Sequence, residues 1–294
     1  MKEFLILETQ ASRDYELVDS GDGEKLERYG EVLLSRPDPQ ALWPKLAPGK
    51  WQMARAKFSR NEKNAKWVKK AGVPDEWQIE LGGLKFFIKP TAFKHTGVFP
   101  EQVPNWDWMR DLIRNSKSEI SVINLFGYTG GATLAAAQAG AKVCHVDGSK
   151  VALMWAKKNE EISGLADKPI RWILDDARVF LKREGKRGHK YDGIIMDPPA
   201  YGHGPDGEMW KIEEHLLDIF SLSKQVLSND PLFFLVNGYA SGYSAIAYEN
   251  NLTEAMKKFS GKTEIGELTI KENPPAGGLG RLLPSGIFAR WQRI

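Results

Sequence analysis

The sequence predicts an α/β protein whose main part is a seven-stranded, mostly parallel sheet with an antiparallel last strand, preceded by a small β-rich module. Three observations carry this reading. From Glu119 onward short apolar runs alternate with amphipathic segments, the pattern of strands and helices in a parallel sheet covered on both faces. The apolar run Ile120–Phe126 leads through Gly127-Tyr128-Thr129-Gly130-Gly131 into an alanine-rich stretch, which reads as buried strand, tight turn and helix. Before Pro90 the alternation is missing, and short strand candidates are separated by turn residues. The strand, glycine turn and helix are Rossmann-like. They place free backbone N–H groups and the positive end of a helix dipole at the carboxyl edge of the sheet, where a nucleotide-like ligand sits.

Taken in order, residues 1–90 form the β-rich N-terminal module. Tyr15–Val18 and Glu31–Leu34 flank the turn-rich Asp19–Gly23, and Trp51–Phe58, Trp77–Leu81 and Leu84–Ile88 supply further strands. Gly82-Gly83 joins the last two as a hairpin. Residues 91–118 link the two parts: Phe93–Gln102 mixes turn residues with aromatics, and Trp106–Ile113 is an amphipathic helix. Residues 119–294 hold the main domain, with strands expected at 120–126, 142–147, 170–174, 192–196, 232–237, 263–271 and 285–291. Helices are expected at 130–139, 149–162, 177–184, 208–228 and 244–259. Only the turn-rich Asn273–Gly278 separates the last two strands, which makes that edge antiparallel.

At 294 residues and 42% hydrophobic content the chain can bury a full core. No run of about 18 apolar residues appears, and Met1–Glu8 is too short and too acidic for a signal peptide, so a cytoplasmic protein is expected. The single cysteine, Cys144, agrees with a reducing compartment. It stands beside His145 in a predicted strand, where adjacent side chains point to opposite faces and cannot share a metal. With His95, His203 and His215 scattered along the chain, no metal site is expected. The net charge of +3 identifies no partner, but its distribution is uneven. Between Lys50 and Lys70 stand Lys50, Arg55, Lys57, Arg60, Lys63, Lys66, Lys69 and Lys70 against one acid, Glu62, with Trp51, Phe58 and Trp67 interleaved. Such a segment suits a phosphate backbone and exposed bases; a solvated helical face with its aromatics in the core gives the same pattern.

The strand ends carry the chemistry. Asp147 closes the second strand about 20 residues after the glycine turn, where a carboxylate accepts both hydroxyls of a ribose. Capping the next helix is the alternative, a task Ser149 also suits. Tyr128 and Thr129 separate Gly127 from Gly130-Gly131, so the turn is not G-x-G-x-x-G and does not favour the pyrophosphate of a dinucleotide. The third strand ends in Asp175-Asp176-Ala177, offering a carboxylate to an adenine amino group, and the fourth in Asp197-Pro198-Pro199-Ala200-Tyr201.

On these residues the chain resembles the class I S-adenosylmethionine-dependent methyltransferases. More narrowly, Asn124–Gly130 and Asp197–Tyr201 are similar to the bacterial 23S ribosomal RNA methyltransferase group that makes 5-methylcytosine or 7-methylguanine. Thr96–Gln102 resembles that group's hairpin over the cofactor, so the resemblance spans about Trp77 to Trp291. It is to a shorter branch, with no evident counterpart of the group's N-terminal PUA domain. The resemblance implies S-adenosyl-L-methionine as cofactor, with Asn124, Phe126, Gly127, Tyr128, Thr129 and Gly130 around its methionine part. It places Asp147 at the ribose, Asp176 and Ala177 at the adenine, and Asp197 near the sulfonium, with Ser149 also among the cofactor-binding residues. Pro198 and Pro199 would fix the backbone that follows, so that Tyr201 faces the acceptor; core packing is the other reading of Tyr201. His203 follows that strand end and reads as incidental to a mobile glycine loop, with contact to substrate as the alternative.

The expected reaction is methyl transfer to a base in RNA, ribosomal RNA favoured, with the Lys50–Lys70 segment contacting phosphates. A small molecule or a protein side chain is the alternative acceptor. A nicotinamide-dependent oxidoreductase and a catalytically inert RNA-binding protein on the same scaffold are the rivals of other classes. Methylation at pyrimidine C5 needs temporary covalent addition at C6, usually by a cysteine thiolate. Cys144 lies inside the second strand and Val236–Ser241 after the fifth holds no cysteine. Direct, non-covalent transfer to an atom already nucleophilic, such as a ring or exocyclic nitrogen, with Asp197 and Tyr201 positioning the acceptor, is therefore expected.

Overall fold

The computed structural model describes residues 3–60, 65–91, 94–239, 242–273 and 280–294. The expectations that fall on Lys63, on Phe93, on Ala240-Ser241 and on the turn at 274–278 lie outside the described residues. The chain forms two compact units, one of Met1–Leu7, Pro104–Leu268 and Gly286–Ile294, the other of Glu8–Val103 and Thr269–Ser285.

The elements run β1 (Phe4–Thr9), β2 (Tyr15–Gly21), β3 (Glu24–Tyr29), β4 (Val32–Pro37), α1 (Pro48–Trp51), β5 (Ala56–Arg60), β6 (Ala65–Lys69), β7 (Trp77–Leu81) and β8 (Leu84–Ile88). They continue with α2 (Val103–Asn115), β9 (Ser121–Leu125), α3 (Gly131–Gln138), β10 (Lys142–Asp147), α4 (Lys150–Ile162), β11 (Ile170–Leu174), α5 (Ala177–Arg187) and β12 (Gly193–Met196). The chain closes with β13 (Tyr201–His203), β14 (Met209–Lys211), α6 (Ile212–Val226), β15 (Phe233–Gly238), α7 (Ala245–Met256), β16 (Gly261–Lys271) and β17 (Leu282–Arg293).

The large sheet has the order β11-β10-β9-β12-β15-β17-β16-β1. The strands from β11 to β15 are parallel and β17 runs against β15, the expected mostly parallel sheet with an antiparallel end. The seven strands read from sequence are all present, and β1 adds an eighth beyond β16. Because strand side chains alternate, one face takes Ile123, Leu125, Cys144, Val146, Ile194, Met196, Phe234 and Val236 into a core with Phe180, Phe220, Leu252 and other residues of α5, α6 and α7. Asn124, His145, Asp147, Asp197 and Asn237 alternate with these and belong to the other face. The connections leave β9 in one direction and β12 in the other, so the switch point of the sheet lies between those two strands.

The expected helix at 208–228 begins later, at Ile212. Its first residues, Met209–Lys211, instead pair back on Tyr201–His203 as a hairpin turned through Gly204, Pro205 and Gly207. His203 is thus part of a strand.

The other unit carries a five-stranded sheet, β2-β3-β4-β5-β6, and the β7–β8 hairpin turned by Gly82-Gly83 as expected. The expected strand Trp51–Phe58 divides into α1 and β5. Its interior is ionic as well as apolar. Arg36 donates from Nε and Nη2 to the Glu27 carboxylate (2.6 and 3.0 Å), Tyr15 donates to the same group (2.9 Å), and Lys25 faces Asp38 at 3.1 Å. All of these side chains are buried, and pairing holds the Glu27 carboxyl down at about 2 against the desolvation that would raise it.

Candidate active site

The site grows from the end of β9. Phe126 and Tyr128 adopt left-handed backbone conformations, φ 57° and 48°, which cost a non-glycine residue roughly 1–2 kcal/mol each. Gly130 is left-handed too, φ 89°, and opens α3 without a side-chain cap. Gly127 is glycine for a different reason: a Cβ there would sit 2.4 Å from Cε1 of His145. The bulky loop is held from below and from the side. Asn124 donates to the Thr133 hydroxyl (2.9 Å), which is 2.8 Å from Nδ1 of His145, and Asn159 of α4 donates to the Thr129 carbonyl (2.9 Å). Burial pushes His145 down to about 3, so it stays neutral as a packing and hydrogen-bonding ring.

Asp147 ends β10. Its Oδ2 accepts the N–H of Tyr128 and its Oδ1 that of Ser149, both at 2.7 Å. Each oxygen keeps a further lone pair. Burial raises this carboxyl, and the two N–H groups oppose the rise. The helix cap is Ser149, whose hydroxyl accepts the N–H of Ala152 (3.2 Å). Asp147 is therefore not needed for capping. Asp176 does cap: it accepts the N–H groups of Arg178 (2.8 Å) and Val179 (3.1 Å) and pairs with the Arg178 guanidinium, with Ala177 beginning α5.

Asp197 follows β12. Its carboxylate has no hydrogen-bond partner among the described residues, and desolvation alone pushes it up to about 6. Pro198 is buried and Pro199 exposed. The Pro199 carbonyl accepts the Trp210 indole N–H at 2.6 Å, which fastens the β13–β14 hairpin to this strand end. Tyr201 is 54% exposed, which removes the core-packing reading; its hydroxyl lies 3.0 Å from Nε2 of His203.

The same hairpin reaches the other strand ends. Trp210 packs on Phe126 (4.8 Å between rings), the Met209 carbonyl accepts from Arg178 (2.8 Å), and the His203 carbonyl would lie 2.9 Å from a Cβ at Gly148. The sequence-read residues thus come together along one edge, with Asn124 beneath the loop instead of on its surface. Three contributors escaped the sequence reading: this hairpin, the Thr133–His145 support, and Asn237 at the end of β15. Asn237 had a visible signal, a polar residue closing an apolar run; the hairpin and the support had none.

Cys144 is buried in the core on the opposite face, and burial pushes its thiol up to about 11. It is not a thiolate at neutral pH, and it does not face the strand-end residues. Of the Lys50–Lys70 segment, β5 and β6 form an antiparallel pair in place of a helix. Lys57 pairs with Glu24 (2.9 Å) and Lys69 with Asp75 (2.7 Å), Phe58 is buried, and the Trp51 and Trp67 indoles donate to Asp19 and to the Thr91 carbonyl. Lys66 is exposed, and its ammonium has no partner among the described residues.

No family model matches the chain. Among solved structures it is similar to an S-adenosylmethionine-dependent methyltransferase from Agrobacterium tumefaciens, 40% identical, with a TM-score of 0.94 over 99% of this chain and 94% of that one. A methyltransferase complexed with S-adenosylhomocysteine, 16% identical with a TM-score of 0.69 over 95% of this chain and 76% of that one, shares the fold. Among curated proteins it is similar to the ribosomal RNA large subunit methyltransferase K of Neisseria meningitidis, 24% identical over 75% of this chain and 64% of the relative. The methyltransferase I of Aeromonas salmonicida is 34% identical over 42% of this chain and 30% of the relative. The chain spans less than two thirds of the length of either curated relative.

Proposed function

Since this chain belongs to the S-adenosylmethionine-dependent methyltransferases, we propose that it methylates a base in RNA, by direct transfer to a nitrogen and without a covalent enzyme adduct. When bound, S-adenosylmethionine supplies an electrophilic methyl group on a positively charged sulfur. The strand-end residues suit that cofactor. Asp147 has a lone pair left on each oxygen for the two ribose hydroxyls, Ser149 stands beside it, and Asp176 with Ala177 offers an acceptor and a backbone N–H for the adenine. The loop Phe126-Gly127-Tyr128-Thr129-Gly130, supported by Asn124, turns backbone toward the methionine part.

The observation that carries the reading is Asp197: an unpartnered, desolvated carboxylate at the strand end that follows the cofactor strands. Such a group accepts a hydrogen bond, and then a proton, from the nitrogen being methylated. Pro198 and Pro199 hold the chain that leads to Tyr201, whose exposed ring is placed to stack on a base. The position of Cys144 supports a route that needs no thiolate. The relatives from Neisseria and Aeromonas, both named as ribosomal RNA methyltransferases, support RNA as the acceptor, and ribosomal RNA within it. Among the described residues no helix is long and apolar enough to cross a membrane, and we place this chemistry in the cytoplasm. Lys66 and its neighbours in the Lys50–Lys70 segment are the phosphate contacts of this proposal.

The test is mass spectrometry of RNA nucleosides from cells with and without the gene. One methylated nucleoside should vanish from ribosomal RNA with the gene and return with wild-type protein but not with Asp197→Ala. An unchanged RNA profile together with a lost methyl mark on a protein or metabolite would move the acceptor to that class.

A further inference from the structure

The register of the sheet sets four strand ends in one row. Val146, Leu125, Met196 and Val236 are successive partners across β10, β9, β12 and β15, so the residues that follow them, Asp147, Phe126, Asp197 and Asn237, come next in one row at the carboxyl edge of the sheet. Asn237 is 4% exposed, and its hydrogen bonding is fixed from a distance. Arg290, held by Glu264 at 3.0 Å and lying over the Trp108 ring, donates to Oδ1 of Asn105 (3.3 Å). Asn105 in turn donates from Nδ2 to Oδ1 of Asn237 (3.0 Å). A guanidinium only donates. Asn105 must therefore give it the oxygen and spend its amide N–H on Asn237, which is left with its own NH2 group. That nitrogen has no partner among the described residues. Next to it in the row stands the Asp197 carboxylate, which only accepts and is likewise unpartnered there.

We propose that Asn237 and Asp197 together read the Watson–Crick edge of an unpaired base, Asn237 donating to its ring nitrogen or carbonyl oxygen while Asp197 accepts from the adjacent N–H, the nitrogen to be methylated. The inference rests on the RNA reading above and sharpens it. A fixed donor beside a fixed acceptor fits an edge that offers an acceptor beside an N–H, as N1 and the 6-amino group of adenine, N3 and the 4-amino group of cytosine, or O6 and N1–H of guanine do. It does not fit N7 and O6 of guanine, two acceptors of which one would meet a carboxylate, nor C5 of a pyrimidine, which offers no polar atom. In the transfer the base nitrogen forms its bond to the methyl carbon as the carbon–sulfur bond breaks, and the bonding pair stays on sulfur. The proton leaves that nitrogen for the Asp197 carboxylate and then passes to solvent.

The experiment incubates the purified protein with deuterium-methyl S-adenosylmethionine and ribosomal RNA from cells lacking the gene, and locates the label by nucleoside mass spectrometry. Label on a Watson–Crick-edge nitrogen is expected. Asn237→Asp keeps the oxygen that Asn105 needs and exchanges the donor for an acceptor, so its kcat/KM should fall about 10- to 100-fold. S-adenosylhomocysteine affinity, measured by calorimetry on the same sample, should stay within about threefold of wild type, which shows that the variant is folded. Label at C5 or at guanine N7, or an Asn237→Asp variant with wild-type kcat/KM, overturns the inference while the RNA reading stands. RNA that takes no label from a protein that binds S-adenosylhomocysteine overturns the RNA reading, and the inference falls with it.

Discussion

Asp147 and Asp197 end the two strands on either side of β9, belong to the same face of the sheet, and are both raised above the ordinary carboxylate range by burial. Their company is opposite. Asp147 holds two backbone N–H groups at 2.7 Å, within a loop propped by Asn124, Thr133, His145 and Asn159. Asp197 holds nothing among the described residues. Asp197 is half-buried, and an acceptor's N–H can meet the oxygens that the protein leaves without a partner among the described residues. On the proposed function, the difference separates a half that the protein finishes for itself, assigned to the constant cofactor, from a half left for the acceptor to complete.

The largest expected effect tests the finished half. Asp147→Ala removes the acceptor proposed for both ribose hydroxyls and releases Tyr128, and should weaken S-adenosylhomocysteine binding about 30- to 100-fold by calorimetry. Unchanged affinity would take the ribose away from Asp147. Gly127→Ala drives a methyl group into the His145 ring and should cost about 1–3 kcal/mol in denaturant unfolding. Adding His145→Ala should recover part of that loss, because the two substitutions share one contact. Simple additivity would show that the loop is not shaped by this ring.

The open half predicts the reverse sign. Burial lifts Asp197 to about 6, so the folded chain keeps a proton that the unfolded chain releases above about pH 4. Stability from this group is full below about pH 4 and lost as pH rises through about 6. Asp197→Asn should therefore raise stability at pH 7.5 by on the order of 2 kcal/mol, and the gain should vanish at pH 4. A variant less stable than wild type at pH 7.5 would mean that the carboxylate is paired after all. Cys144→Ala touches neither half. It should cost about 1 kcal/mol of stability, leave turnover near wild type, and leave 5-fluorocytosine-containing RNA without a trapped adduct. The smallest effect belongs to the other unit: Lys66→Glu should lower the salt dependence of RNA binding by about one phosphate contact.

How far the sequence reached follows the same division. The glycine turn, Asp147 and Asp197 were legible because each closes an apolar run at a fixed place in an alternating pattern. What each carboxylate touches was not, since Tyr128 reaches Asp147 through a left-handed backbone that no pattern of residue types reports. The β13–β14 hairpin was hidden because Met209–Lys211 reads as the start of the helix and Gly202–Gly204 as a loop. Asn105 meets Asn237 across 132 positions, and Arg281 meets Asp19 across 262, so neither contact leaves a local trace. In the lysine-rich segment the charges were countable, but Glu24 and Asp75, which neutralise two of them, become visible only once the strands are paired.

In the proposed function Asp197 serves the acceptor and Asp147 the cofactor. Single-turnover methylation of RNA by Asp197→Asn, run beside S-adenosylhomocysteine calorimetry on the same protein, tests it most directly. Transfer should fall about 100-fold or more while S-adenosylhomocysteine affinity stays within about threefold of wild type. Cofactor affinity falling in step with transfer, or transfer persisting at the wild-type rate, would contradict the division between the two halves.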